Sequence, residues 1–105
     1  MAKKKGRYLD TKEHKDWRAK VIARDGACVI CGATGRLTGH HLIQKNIKKL
    51  RSNIMNGVTL CGRHHAQYGY CLSPHNDASF MFAIWMMKNR PELFKWVEDN
   101  WEYGL

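Results

Sequence analysis

The sequence has no long apolar run, only two prolines, and few acidic residues in its first three-quarters. A membrane-spanning helix needs roughly 20 consecutive apolar residues, and no run in these 105 residues approaches that length. The amino-terminal segment is charged but no apolar stretch follows it, so it does not resemble a secretory signal. We therefore expect a cytoplasmic protein that is not bound to a membrane, with room for one domain.

Cysteine is also scarce, with four residues in the chain. In a reducing compartment cysteines are more often metal ligands than disulfide partners. A chain this short buries a modest hydrophobic core, and small domains commonly add a metal ion to stabilise the fold. The cysteines are therefore the first candidates for a metal site.

Acidic residues are unevenly distributed. Residues 1–75 contain 15 Lys or Arg but only 4 Asp or Glu, whereas residues 76–105 contain 3 and 5. The excess of positive charge in the first part favours a polyanionic partner such as nucleic acid. An anionic membrane surface, an acidic protein and plain solubility are alternatives that charge alone does not exclude.

The pattern along the chain predicts three parts within a single domain. Residues 1–10 form a basic flexible arm, residues 11–75 form a core, and residues 76–105 form a helical extension that packs on it. Apolar spacing predicts a helix from Thr11 to about Arg24, with Asp25 and Gly26 ending it. Short strands are expected at residues 37–43 and 57–60, and a helix is expected to begin at residue 61.

The extension is expected to contain two helices, separated where Pro91 begins the second. Apolar residues recur there at helical spacing and are expected to face the core. They are Phe80, Ile84 and Met87 in the first helix and Phe94, Val97 and Trp101 in the second.

Two paired spacings point to a structural zinc site. Cys28 and Cys31 are separated by two residues, as are Cys61 and His64, and 29 residues separate the pairs. Zinc prefers four nitrogen or sulfur ligands at a tetrahedral centre, and each short spacing lets one turn present two of them. Cys71 is an alternative fourth ligand in place of His64, although such a cysteine is more often a small buried apolar residue.

Further histidines and an asparagine remain after the zinc ligands are assigned, and with them the sequence resembles the HNH endonuclease family. The resemblance covers about residues 17–65. Its motifs are Arg24-Asp25-Gly26 before the first cysteine pair, Gly39-His40-His41-Leu42-Ile43, Asn56-Gly57-Val58-Thr59-Leu60-Cys61, and the closing His64-His65. The familiar family pattern has a second cysteine where this chain has His64, and often an acidic residue where it has His40.

The resemblance implies an α+β fold: a ββα-metal core with a structural zinc site, flanked by an amino-terminal helix and carboxy-terminal helices. In that frame His41 is the general base, and His40 and His65 are ligands of a catalytic Mg²⁺ or Mn²⁺ ion. Imidazole ligands also allow Ni²⁺ or Zn²⁺. Asn56 either orients His41 or helps to hold the metal.

Helix and strand geometry limit the directions in which these histidines can point. Consecutive helical residues lie about 100° apart, so His64 and His65 are expected to face different sites. Consecutive residues on a regular strand point to opposite faces. His40 and His41 can therefore both point towards one ion only if the strand is distorted.

The implied activity is hydrolysis of DNA phosphodiester bonds. Basic residues in the loop between the strands and in the arm are expected to contact DNA phosphates. Such contacts give affinity but do not distinguish one base sequence from another. These residues are Lys45, Lys48, Lys49 and Arg51 in the loop and Lys3, Lys4, Lys5 and Arg7 in the arm. His14 and His75 are expected to be surface or structural residues.

Small stand-alone proteins of this kind resemble those of bacteriophages and other mobile elements, which suggests a bacterial host cell and packaging or recombination partners. Two other classes of function are open. A zinc-ribbon-like module would bind DNA without cleaving it, and an accessory protein would use its carboxy-terminal helices as a docking face.

Overall fold

The computed structural model describes residues 11–43, 47–65 and 79–100. They form a small α+β fold with helices around a two-stranded antiparallel sheet. The elements are α1 (Lys12–Asp25), β1 (Leu37–His40), β2 (Val58–Cys61), α2 (Gly62–His65), α3 (Ser79–Asn89) and α4 (Pro91–Asn100). Within these ranges, no helix combines the length and the apolar character that a membrane crossing requires.

Helix α1 begins and ends where its capping residues predict. Thr11 is the N-cap, and its hydroxyl oxygen accepts a hydrogen bond from the amide of His14 at 3.1 Å. Gly26 ends the helix in the left-handed conformation, with φ of 77°, and donates its N–H to the carbonyl of Ile22. A glycine adopts this conformation without the steric cost that a side chain adds. Trp17 and Val21 form the buried face of the helix.

The two strands pair in a register that runs from Leu37 opposite Cys61 to His40 opposite Val58. β1 ends at His40, three residues before the end of the strand predicted for residues 37–43. The reason is that Asn56 binds the backbone of Leu42 and Ile43 and thereby replaces strand pairing there. β2 is buried at all four positions.

β2 is buried throughout because helices cover both faces of the sheet. On one face, Val58 and Leu60 pack with Phe82 and Met86 of α3 and with Leu93 of α4. These contacts make the carboxy-terminal helices part of the same hydrophobic core as the sheet.

On the other face, Trp17 packs against the backbone of both strands. A Cβ atom at Gly39 would lie 2.9 Å from the indole, and one at Gly57 would lie 2.5 Å from it. The two glycines therefore leave the space that the indole fills. Thr59 faces α1 as well, and its hydroxyl donates to the carbonyl of Val21.

The predicted core face of α3 is wrong. Phe82 and Met86 are buried, whereas Ile84 is half-buried and Met87 is 47% exposed. Because most of α3 is apolar, several helical faces match the periodicity and sequence alone does not choose among them. In α4, Leu93 is buried, although the sequence pattern did not select it. The side chain of Phe80 and all of Trp101 lie outside the described residues.

Asp25 joins three parts of the fold through a carboxylate with no exposed surface. It accepts hydrogen bonds from the guanidinium of Arg24, from the amide of Thr59 in β2, and from Arg90 between α3 and α4. Burial raises the pKa of Asp25, but the hydrogen bonds from Arg24, Arg90 and Thr59 outweigh it and hold that pKa below its ordinary value. The charged form is therefore favoured by the folded state.

Substitution of Gly57 by alanine should lower the free energy of unfolding by about 1–3 kcal/mol, because the added methyl group overpacks the indole of Trp17. Urea denaturation measures the change. Gly35→Ala is the matched control, since nothing lies within 4 Å of a Cβ atom there, and its effect should stay within about 0.5 kcal/mol. Equal stability of the two variants would contradict the close packing at Gly57.

Asp25→Asn should lower the free energy of unfolding at pH 7 by about 2–3 kcal/mol, because two guanidinium groups lose their counter-charge. The carboxylate stabilises the fold above its unfolded pKa of about 3.9, and this contribution falls as pH drops through the lower folded pKa. The difference between variant and wild type should therefore be constant from about pH 7 to 5 and narrow below about pH 4.

The measurement is urea unfolding across that pH range, with Asp16→Asn as the control on the same helix. The side chain of Asp16 is 53% exposed and pairs with Lys12 at the surface, so its loss should cost less than about 1 kcal/mol. A difference at Asp25 that did not change between pH 5 and pH 3 would refute the role of its charge.

Candidate functional site

Cys28, Cys31, Cys61 and His64 converge to form a site that can hold a metal ion such as zinc. Their ligand atoms all lie within 4.8 Å of one another. The sulfur atoms of Cys31 and Cys61 are 3.8 Å apart, and Nδ1 of His64 lies 3.3 Å from the sulfur of Cys61 and 3.8 Å from that of Cys28. The cysteines are free thiols and not disulfides. The predicted grouping of these four residues is therefore confirmed.

These distances fit a tetrahedral zinc site. With Zn–S bonds of about 2.3 Å, the edge between two sulfur ligands of a tetrahedron is about 3.8 Å. Burial raises the pKa of Cys61, but hydrogen bonds from the backbone and side chain of His64 and from the thiols of Cys31 and Cys28 lower it to about 6. A thiolate, the form that binds metal, is thus favoured at neutral pH.

The turn around Cys28 and Cys31 is held by backbone hydrogen bonds. The amide of Gly32 donates to the carbonyl of Cys28 at 2.8 Å, and the amide of Cys28 donates to the carbonyl of Ala33 at 2.9 Å. Gly32 adopts a φ of 79°, which a glycine allows at low cost. The turn is fixed to β2 because Val29 donates to the carbonyl of Thr59.

Helix α2 carries two histidines that lie at different places. His64 belongs to the cysteine cluster, whereas the ring of His65 lies 5.6 Å from the ring of His40, edge to face. Phe82 of α3 lies 5.9 Å from His40 on the same face of the sheet. The structure thus brings the rings of His40 and His65 together beside the ring of Phe82.

His41 faces the opposite side from His40, as alternation along a strand requires. Its ring stacks on the indole of Trp17, with centroids 3.8 Å apart and planes inclined by 9°. Its Nε2 lies 2.9 Å from the carbonyl oxygen of Arg51. A carbonyl only accepts, so Nε2 carries the hydrogen and, in the neutral ring, Nδ1 is the basic nitrogen.

Asn56 is fully buried and uses both ends of its side chain to hold the loop that follows His41. Its Oδ1 accepts hydrogen bonds from the amides of Leu42 and Ile43, at 3.1 and 2.6 Å. Its Nδ2 donates to the carbonyls of Ile43 and Leu50. Both ends of the Asn56 side chain are therefore engaged by backbone groups of the loop.

The basic residues expected to contact DNA are only partly described. Lys48 and Lys49 are exposed on the loop between the strands. Arg51 is less accessible, and its guanidinium forms an ion pair with Glu13 of α1 at 3.4 Å. The other candidates lie outside the described residues, as does Cys71; they are Lys45, Lys3, Lys4, Lys5 and Arg7.

Two neighbours of His41 were not predicted to belong to a site. Sequence analysis leaves His14 as a surface or structural residue, but its ring lies 5.9 Å from that of His41, and the indole of Trp17 stacks on the same imidazole. Both residues come from one face of α1, three positions apart, which places them beside each other on a helix. Nothing in the sequence indicates that this face meets the end of β1.

Cys31→Ser should reduce bound zinc well below one ion per chain and lower the thermal midpoint, because metal binding and folding are coupled in small metal domains. Metal analysis after gel filtration and thermal melting followed by circular dichroism measure the two effects. Cys71→Ser is the control and should retain full zinc. Full zinc and an unchanged midpoint in Cys31→Ser would refute the four-residue site, and zinc loss in Cys71→Ser would place Cys71 among the ligands.

No protein-family model, curated protein or solved structure matches the chain at the significance required. The described residues thus form three groups: the cluster of three cysteines and His64, the pair His40 and His65, and His41 held by a carbonyl and an indole.

Proposed function

We propose that this protein is a metal-dependent endonuclease that hydrolyses DNA phosphodiester bonds, with His41 as general base and His40 and His65 as ligands of one divalent ion. The observation that carries the proposal is the arrangement of these three histidines at the end of β1. His40 and His65 approach each other on one side, and the adjacent His41 is fixed on the other.

The orientation of His41 suits a general base. The hydrogen bond to Arg51 fixes Nε2 as the donor, and stacking on Trp17 fixes the plane of the ring. A neutral imidazole near pH 7 can then accept at Nδ1 the proton of a water molecule that attacks phosphorus. Preorganisation of this kind avoids the cost of ordering the ring during the reaction.

His40 and His65 fit the role of metal ligands because imidazole nitrogens bind divalent ions such as Mn²⁺, Ni²⁺ and Zn²⁺, and Mg²⁺ less readily. A divalent ion held there would neutralise the phosphate and stabilise the departing oxygen.

In this proposal Asn56 is a positioning residue and the Cys28, Cys31, Cys61 and His64 site is a structural zinc site. All four zinc ligands come from the chain, which leaves no position for a reacting water molecule. The hairpin β1–β2 followed directly by α2 is the arrangement expected for a ββα-metal core, and this likeness supports the assignment.

His41→Ala should lose roughly 10²–10⁴-fold in cleavage rate while it retains DNA binding and fold, because that is the usual size of a general-base contribution. The assay is conversion of supercoiled plasmid to open-circular or linear DNA at pH 7–8 with added Mg²⁺, Mn²⁺ or Ni²⁺. His75→Ala, a histidine assigned to no site, is the matched control and should cleave at the wild-type rate.

His40→Ala and His65→Ala should lose stimulation by the added ion while they keep full zinc. Wild-type cleavage by a folded His41→Ala variant would remove His41 from the role of base. DNA binding without cleavage by the wild-type protein under every metal would instead support the DNA-binding module that does not cut.

A further inference from the structure

Arg36, just before β1, adopts a backbone conformation that its residue type disfavours. Its φ is 54°, and it is the only residue other than glycine with a positive φ among those described. A side chain in this region carries a steric cost that glycine does not. Strained backbone of this kind occurs preferentially where a side chain has a function.

The side chain of Arg36 borders an open cavity of about 470 Å³ at the end of the hairpin where Leu37 pairs with Cys61. The cavity is lined by Gly35, Arg36, Cys61, Gly62 and Arg63. A Cβ atom at Gly62 would lie 3.8 Å from the Cβ atom of Arg36. Gly62 therefore lies directly beside the side chain of Arg36 in this cavity.

The surroundings of the cavity are basic. Its lining contains two arginines and no acidic residue. A third arginine, Arg18 of α1, donates to the carbonyl of Leu37, the residue next to Arg36. Within the part of the chain that the structure describes, the guanidinium of Arg36 forms no ion pair that would neutralise its charge.

We propose that Arg36, together with Arg63, forms a binding site for a phosphate of the DNA backbone, separate from the basic loop between the strands. Guanidinium groups bind phosphate oxygens in a bidentate manner, and exposed arginines on either side of a shallow cavity can approach one phosphate from two directions. The contact supplies affinity and fixes the position of the duplex but does not read sequence.

The site lies within reach of the proposed catalytic residues. Arg36 and His40 are four residues apart along an extended strand, a distance of about 13 Å. One duplex can therefore occupy both places, and the phosphate at Arg36 would hold the substrate while a neighbouring phosphodiester is cleaved. This inference rests on the proposed function, because it takes DNA to be the substrate.

Arg36→Gly tests the site because relief of backbone strain should leave stability unchanged or higher, whereas loss of the guanidinium should weaken DNA binding. Glycine relieves the unfavourable φ, so the thermal midpoint should be unchanged or higher. Affinity for a fluorescein-labelled DNA duplex, measured by fluorescence anisotropy without added divalent ion, should fall by roughly 3- to 10-fold at low salt. The slope of log K against log salt concentration should decrease in magnitude by about 0.9, the value for one phosphate contact.

Lys88→Ala is the matched control for charge, since Lys88 is exposed on α3. Its affinity and salt slope should remain at the wild-type values. An Arg36→Gly variant with wild-type affinity and salt slope would overturn the phosphate site, as would an equal loss in Lys88→Ala.

The same variants separate this inference from the nuclease proposal. If the wild-type protein cleaves plasmid and Arg36→Gly binds DNA normally, the nuclease stands and the phosphate site is wrong. If no metal supports cleavage but Arg36→Gly weakens DNA binding as expected, the phosphate site stands and the nuclease is wrong. Absence of DNA binding by the wild-type protein would refute both.

Discussion

The arrangement of the molecule depends on the convergence of Cys28 and Cys31 with Cys61 and His64. The segment between the two pairs contains β1, His41 and Asn56, which belong to the proposed catalytic site. A metal ion shared by the four side chains would close this segment into a loop and restrict the unfolded chain. Small domains need such a constraint because their hydrophobic cores are limited.

Helix α1, which lies outside that segment, supplies the second constraint. Trp17 fills the space over Gly39 and Gly57 and stacks on His41, so one side chain joins helix packing to the orientation of an imidazole. Asp25, at the end of the same helix, joins it to β2 and to Arg90. The position of His41 thus depends on a helix that lies outside the strand–loop–strand segment.

The sequence predicts the features that depend on local spacing. The capping residues predict the two ends of α1 to within about one residue. The two pairs of ligands, each separated by two residues, predict the metal cluster. His64 and His65 lie at different places, as the step of about 100° between consecutive helical residues predicts. The roles of His41, Asn56 and the His40–His65 pair remain predictions, although their positions are compatible with them.

Features that depend on tertiary packing could not be predicted. Asp25 and Arg90 are 65 residues apart, and no local pattern relates them. The buried face of α3 was predicted incorrectly because an almost wholly apolar helix offers several faces. The end of β1 depends on Asn56, which binds the backbone of residues 13 and 14 positions earlier. The left-handed φ of Arg36 also has no sequence signal, since the residue type opposes it.

The adjacency of His64 and His65 has a thermodynamic consequence. On the proposed assignment, one turn of helix carries a ligand of each metal ion, so an ion bound at one site orders a ligand of the other. Such coupling is reciprocal: zinc would tighten the binding of the catalytic ion by the same factor as the catalytic ion tightens the binding of zinc. On that assignment, abundant divalent ions would help the protein to retain its zinc.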